Sequence, residues 1–252
     1  MSAQYLARER EVAIECVSRA CQVTGAVFKR LVGDKKEKEK VTETKGDLSP
    51  VTVADYSAQA IVNSIIHSAF PADPIVGEEE AAHLRSQEGS SLRAMVVDLT
   101  NSVLSAPLPE PSILDAIDLG KYPGGPRGRH WTLDPIDGTK GFLRGEQYAV
   151  CLALIVDGEV HLGVMGCPNL PRSHEDQHST GSLFVTVKGQ GAFQVLRSPF
   201  SPFSPFLPLT CASRDPSSSL STYPLPPTSL LYSLPLSSPP LFSLSIPPPS
   251  PP

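Results

Sequence analysis

An α+β fold, with helices packed on a mostly antiparallel sheet, is predicted by three features of the first 197 residues of this 252-residue chain. Two early stretches carry apolar residues at helical spacing. A meander of apolar runs follows, and two of these flank Asp157-Gly158, a dipeptide favoured in tight hairpin turns. The sequence has no internal repeats. Helices followed by strands make a layered α+β domain.

The elements can be taken in order. From Leu6, the positions Ala13, Cys16, Val17, Ala20, Thr24, Val27, Phe28 and Leu31 form one stripe of a first helix. The charged run KKEKEK at 35–40 reads as a solvated loop. Pro50 opens a second helix, in which Ile61, Ile65, Ile66 and Ala69 share a face, and Pro71 ends it. Pro74-Ile75-Val76 predicts a short strand ending at Gly77, and Ala94–Leu104 a further helix. Leu133 finishes the next strand, because Pro135 prevents its continuation. Ala149–Val156 and Val160–Val164 form the hairpin around Asp157-Gly158.

Residues 198–252 differ sharply. Of the 27 prolines, 16 fall here, 45 of the 55 residues are Ser, Pro, Leu or Phe, and only Arg214 and Asp215 are charged. Such a tract forms neither helix nor sheet interior and is expected to be disordered. These four residue types share codons beginning with two pyrimidines, so the tract reads as translated pyrimidine-rich non-coding sequence. A Pro-rich interaction tail is the other reading. The expected division is therefore 1–197 as the folded domain and 198–252 as the tail.

A formal charge of −5 argues against nucleic-acid binding, which would need a basic face. Cys16, Cys21, Cys151, Cys167 and Cys211 have no metal-ligand spacing and read as reduced thiols. The charged N-terminus MSAQYLARERE is no secretory signal, and no apolar run approaches membrane-helix length. The expectation is a cytoplasmic monomer without a membrane partner.

Three acidic segments sit where the chain changes direction: KGDLSPVTVAD (45–55), IVGEEE (75–80) and WTLDPIDGTKGF (131–142). In the third, Asp134 and Asp137 can curl towards one point, with the Ile136 carbonyl between them. Magnesium takes such hard oxygen ligands. Gly138 lets backbone approach a ligand, and the N–H groups of Gly138 and Thr139, if they open a helix, make a phosphate cradle.

DPIDGT after an apolar strand resembles the metal motif of the lithium-sensitive, magnesium-dependent phosphatases, which include the inositol monophosphatases. The continuation Lys140-Gly141-Phe142-Leu143-Arg144-Gly145-Glu146-Gln147, with GGPRGRHW (124–131) and SPVTVAD (49–55), resembles the 3′(2′),5′-bisphosphate nucleotidase branch. That resemblance implies the N-terminal half of a layered α/β sandwich. It implies Mg2+ held by Glu78, Asp134, the Ile136 carbonyl and Asp137, with Asp55 and Thr139 orienting and deprotonating water. Glu79 would not be a direct ligand. The implied reaction is hydrolysis of 3′-phosphoadenosine 5′-phosphate, a small nucleotide, to AMP and phosphate in sulfate assimilation. An inositol phosphate is the alternative substrate. A non-catalytic fragment with a Pro-rich interaction tail is the reading of another class.

The same resemblance calls for a W-D-x-x-A-G segment that supplies a further metal-site aspartate. The one tryptophan, Trp131, precedes DPIDGT, and no such segment occurs. The chain is therefore expected to lack the family's second half and to be a poor phosphatase by itself.

Overall fold

A computed structural model describes residues 5–33, 50–172 and 179–195. The KKEKEK run, the 198–252 tract and Cys211 lie outside the described residues. The elements are α1 (Ala7–Gly33), α2 (Pro50–Ala69), β1 (Ile75–Val76), α3 (Ala82–Arg85), α4 (Ser90–Asn101), α5 (Glu110–Asp118), β2 (Arg129–Asp137), α6 (Thr139–Arg144), β3 (Ala149–Val156), β4 (Glu159–Pro171), β5 (Thr180–Val187) and β6 (Gly191–Val195).

The strands form one six-stranded sheet in chain order. β1 pairs in parallel with β2, and all other neighbours are antiparallel. The fold is α+β, as the sequence predicts. The β3–β4 turn has both Asp157 and Gly158 at positive φ (50° and 79°), the geometry of a tight twisted hairpin.

Helices α1 and α2 cover one face of the sheet. Ala13 and Val17 of α1 and Ala58, Val62 and Ile66 of α2 pack with Trp131, Leu133, Leu152, Leu154, Leu162 and Val164. The opposite side of α2 places Val53, Tyr56 and Ala60 against Leu84, Leu92, Val96, Ile113 and Ile117. Helix α2 is thus sandwiched between sheet and helices, and residues 53–63 are all buried. The other face of the sheet carries Ala153, Ile155 and Phe184, half-buried, and Met165, 43% exposed.

Three sequence expectations need correction. Strand β2 does not stop at Leu133 but runs through Pro135 to Asp137, because a bulge between Asp134 and Asp137 takes the proline out of the regular ladder. Helix α4 spans Ser90–Asn101 rather than 94–104. It starts early, with Gly89 at its N-cap, before its apolar stripe begins. It ends early because the Asn101 side chain bonds Leu108 in both directions, at 2.8 and 3.0 Å, and turns the chain. Helices α3 and α5 were not expected. The second is brief, yet it buries Ile113, Leu114, Ala116 and Ile117.

Candidate active site

The site starts from a polar stripe inside an otherwise apolar helix. Asp55, Gln59 and Asn63 recur every four residues along α2, between its sheet-facing and helix-facing sides, and all three are buried. Asp55 is 9% exposed and forms the floor of the site.

The second acidic segment leaves β1 after Gly77. Its backbone is fastened by Gln59, whose Oε1 accepts from the Glu78 and Glu79 N–H groups, both at 2.9 Å. Glu78 is exposed and Glu79 half-buried. The Tyr56 hydroxyl hydrogen-bonds Glu79.

The third segment owes its geometry to the bulge. Asp134 pairs with Cys151, and Asp137 with Ala149, two residues away on β3. Residues two apart on a strand share a face, whereas residues three apart do not. The bulge opposes Pro135 and Ile136 to a single β3 residue, and so returns Asp137 to the face of Asp134. Burial, and then the charges of Asp137 and Asp134, push the Cys151 thiol up to about 12. Gly138 follows at φ 91°, a left-handed conformation, and α6 begins at Thr139. Phe142 anchors this short helix against Phe28 and Tyr148 at ring separations of 5.4 and 4.8 Å.

Electrostatics tie the segments together. Burial, then Glu79, Glu78 and Asp134, push Asp55 up to about 8. Burial, then Glu78 and Asp137, push Asp134 up to about 6. Burial, Glu79 and Asp137 raise Glu78. Carboxylates from three elements thus repel one another at a half-buried site, with no cation of the described residues among the groups acting on them. Asp134 Oδ1 is buried without a hydrogen-bond partner. An acidic, partly desolvated donor set with an orphaned oxygen fits a hard divalent cation. The carboxylates meet at electrostatic range; among the described residues, no three of His, Cys, Asp or Glu are gathered into a ready ligand set.

Two expected partners are not joined. The Thr139 hydroxyl donates to Ile136 O at 3.3 Å, within its own turn, and no hydrogen bond connects it to Asp55. Glu79, expected as the non-ligand of its pair, is the largest of the charges acting on Asp55, ahead of Glu78. A cavity of about 440 Å³ between α2 and α5, lined by Ser64, His67, Ser112 and Asp115, shares no residue with the carboxylates.

Gln59 and Tyr56 escaped the sequence reading. The signal for Gln59 was available, since a four-residue recurrence of polar side chains in an apolar helix marks groups with buried partners. Nothing in the sequence marked Tyr56.

The profile of the inositol monophosphatase family matches residues 7–219. Over 240 residues the chain is 43% identical to a 3′(2′),5′-bisphosphate nucleotidase of Emericella nidulans, covering 87% of this chain and 63% of that protein. It is 45% identical over 200 residues to 3′(2′),5′-bisphosphate nucleotidase 1 of Candida albicans, covering 74% and 54%. A nucleotidase of the same name from Schizosaccharomyces pombe is 42% identical, with 74% and 55% covered. The chain therefore spans between about half and two thirds of the length of these relatives.

Proposed function

The chain belongs to the inositol monophosphatase family, and from that premise we propose that it carries the magnesium-dependent centre of a phosphomonoesterase acting on 3′-phosphoadenosine 5′-phosphate. The observation that carries this reading is the carboxylate cluster: Asp55, Glu78 and Asp134 are each raised by burial and then by the charges of neighbouring carboxylates, Glu79 and Asp137 among them. The substrate follows the resemblance to bisphosphate nucleotidases, and the products would be AMP and phosphate. The proposal extends to a monomer in the cytoplasm serving sulfate assimilation. No described helix is long and apolar enough to cross a membrane.

Glu78, Asp134, the Ile136 carbonyl and Asp137 would hold magnesium. When bound, the metal neutralises charge on the transferring phosphoryl group and lowers the pKa of water. Asp55 would take the water's proton, a role suited to a carboxylate whose proton affinity is raised well above the ordinary carboxylate range. Thr139 would hold that water in line, and the Gly138 and Thr139 N–H groups would receive the phosphate. The W-D-x-x-A-G segment is missing from the sequence, so turnover by this chain alone would be slow.

The test is calorimetric Mg2+ binding to residues 1–252, followed by phosphate release from 3′-phosphoadenosine 5′-phosphate and from an inositol phosphate. Wild type should bind Mg2+ and release phosphate slowly from the nucleotide, and Asp134→Asn should do neither. Binding and release indifferent to Asp134→Asn would overturn the proposal, and a preference for the inositol phosphate would reassign the substrate.

A further inference from the structure

We infer that Gln59 is a positioning residue for the acidic segment, setting where Glu78 and Glu79 stand relative to Asp55. The inference rests on the metal-centre reading above and adds a residue to it. Gln59 is fully buried on α2, one turn beyond Asp55. Its Oε1 accepts from the Glu78 and Glu79 N–H groups at 2.9 Å each, and its Nε2 donates to Glu79 O at 2.7 Å and Ile117 O at 3.0 Å. A side-chain amide has two donor hydrogens and two acceptor lone pairs, and here each has a partner.

The site is also built to hold an amide and nothing larger beside it. A Cβ on Gly77 would lie 2.6 Å from Gln59 Oε1, and one on Gly120 would lie 2.8 Å from Nε2. Two neighbouring glycines therefore leave the amide the room it occupies. Gly77 N–H bonds Gly120 O at 2.8 Å, so the two are themselves joined. Through this one side chain, α2, the acidic segment and the end of α5 become a single unit. Asp55 and Gln59 share a helix, so the distance from Asp55 to the two glutamates is fixed by Gln59 and not by a flexible loop. Nothing in the arrangement lets Gln59 touch substrate; it acts through the residues it holds.

The experiment uses residues 1–252 and Mn2+ as the probe, followed by its electron paramagnetic resonance signal on binding, with thermal unfolding recorded alongside. Gln59→Met keeps the volume and removes all four bonds. It should weaken Mn2+ binding by about 10- to 100-fold, the scale for residues that orient metal ligands. Asn63→Leu is the structural control: one turn further on, it removes the bonds from Asn63 Nδ2 to Ala116 O (2.9 Å) and Ile117 O (3.4 Å) but none to the acidic segment. It should lower thermal stability and leave Mn2+ affinity unchanged. If Gln59→Met does not fold, Gln59→Asn, which keeps the amide one methylene short of its partners, gives the same comparison. Wild-type affinity in the Gln59 variant, or an equal loss in Asn63→Leu, would overturn the inference. Failure of the metal-centre reading looks different: there, wild type and Asp134→Asn would bind Mn2+ alike.

Discussion

Gln59 and Glu79 exchange hydrogen bonds in both directions, the Glu79 N–H to Oε1 at 2.9 Å and Nε2 to the Glu79 carbonyl at 2.7 Å. This closed pair makes the short segment after β1 behave as part of α2. Its tightness leads to the first prediction. Gly77→Ala should destabilise the fold by about 1–3 kcal/mol, the usual range for overpacking a well-filled site. The added methyl meets a side chain that is already fully bonded and cannot turn aside. Urea unfolding with unchanged m-value measures the loss; a variant as stable as wild type contradicts it.

The acidic cluster sets a pH dependence whose sign can be worked out. Asp55 is raised from 3.8 to about 8, chiefly by burial, and Asp134 from 3.8 to about 6. A carboxyl with a raised folded-state pKa binds its proton more tightly in the fold. Its contribution is fully present below the unfolded value and is lost as pH rises through the folded one. In chelator, therefore, Tm should fall as pH rises from about 4 to about 8. Asp55→Asn should flatten this slope and raise Tm at the alkaline end, while abolishing phosphate release. A Tm that climbs over this window in chelator would refute the assignment of Asp55.

Added Mg2+ should raise Tm most where the carboxylates are ionised, because the cation binds the charged form and competes with protons. The gain should grow with pH and vanish in Asp134→Asn. A gain independent of pH would place the bound ion elsewhere.

Phe142 offers a packing test. It is fully buried between Phe28 and Tyr148 and holds the six-residue α6 in place. Phe142→Ala should cost about 3–5 kcal/mol, as large-to-small aromatic changes in cores do. Chemical denaturation would measure it, and a loss well under that range would mean the cluster collapses around the gap.

Asp73 gives a prediction with a built-in reporter. Its Oδ2 accepts from Trp131 Nε1 at 2.9 Å and from Arg129 Nε at 2.8 Å. Asp73→Ala leaves the buried indole N–H without its acceptor, costing about 1–3 kcal/mol. Because Trp131 is the sole tryptophan and is fully buried, its fluorescence should shift to longer wavelength at lower denaturant. An unshifted transition would show that another acceptor replaces the carboxylate.

How much of this was legible beforehand depended on the range of the determining contact. Helices α1 and α2 and the β3–β4 hairpin were readable because stripe, proline and turn signals are local. The acidic residues were readable as three segments for the same reason. Strand β2 beyond Leu133 was not, since a bulge depends on its partner, and Cys151 and Ala149 lie far along the chain from Asp134. Helix α5 was missed because a few apolar residues between prolines do not show a period; its helicity is supported by packing on α2. The larger influence of Glu79 on Asp55, and the turning of the Thr139 hydroxyl to Ile136 O, are three-dimensional facts with no sequence signature.

The bulge in β2 also constrains how this gene can vary. Exchanging Pro135 or Ile136 for another residue alters packing, but losing either codon removes the bulge. With one residue fewer between them, Asp134 and Asp137 would stand two positions apart in a regular ladder and keep both their face and their partners on β3. What would go is the unpaired residue of the bulge, which stands outside the ladder between the two carboxylates. Pro135 and Ile136 should consequently accept substitution more readily than a change of length, and a single-codon deletion there would cost the site a backbone oxygen rather than a carboxylate.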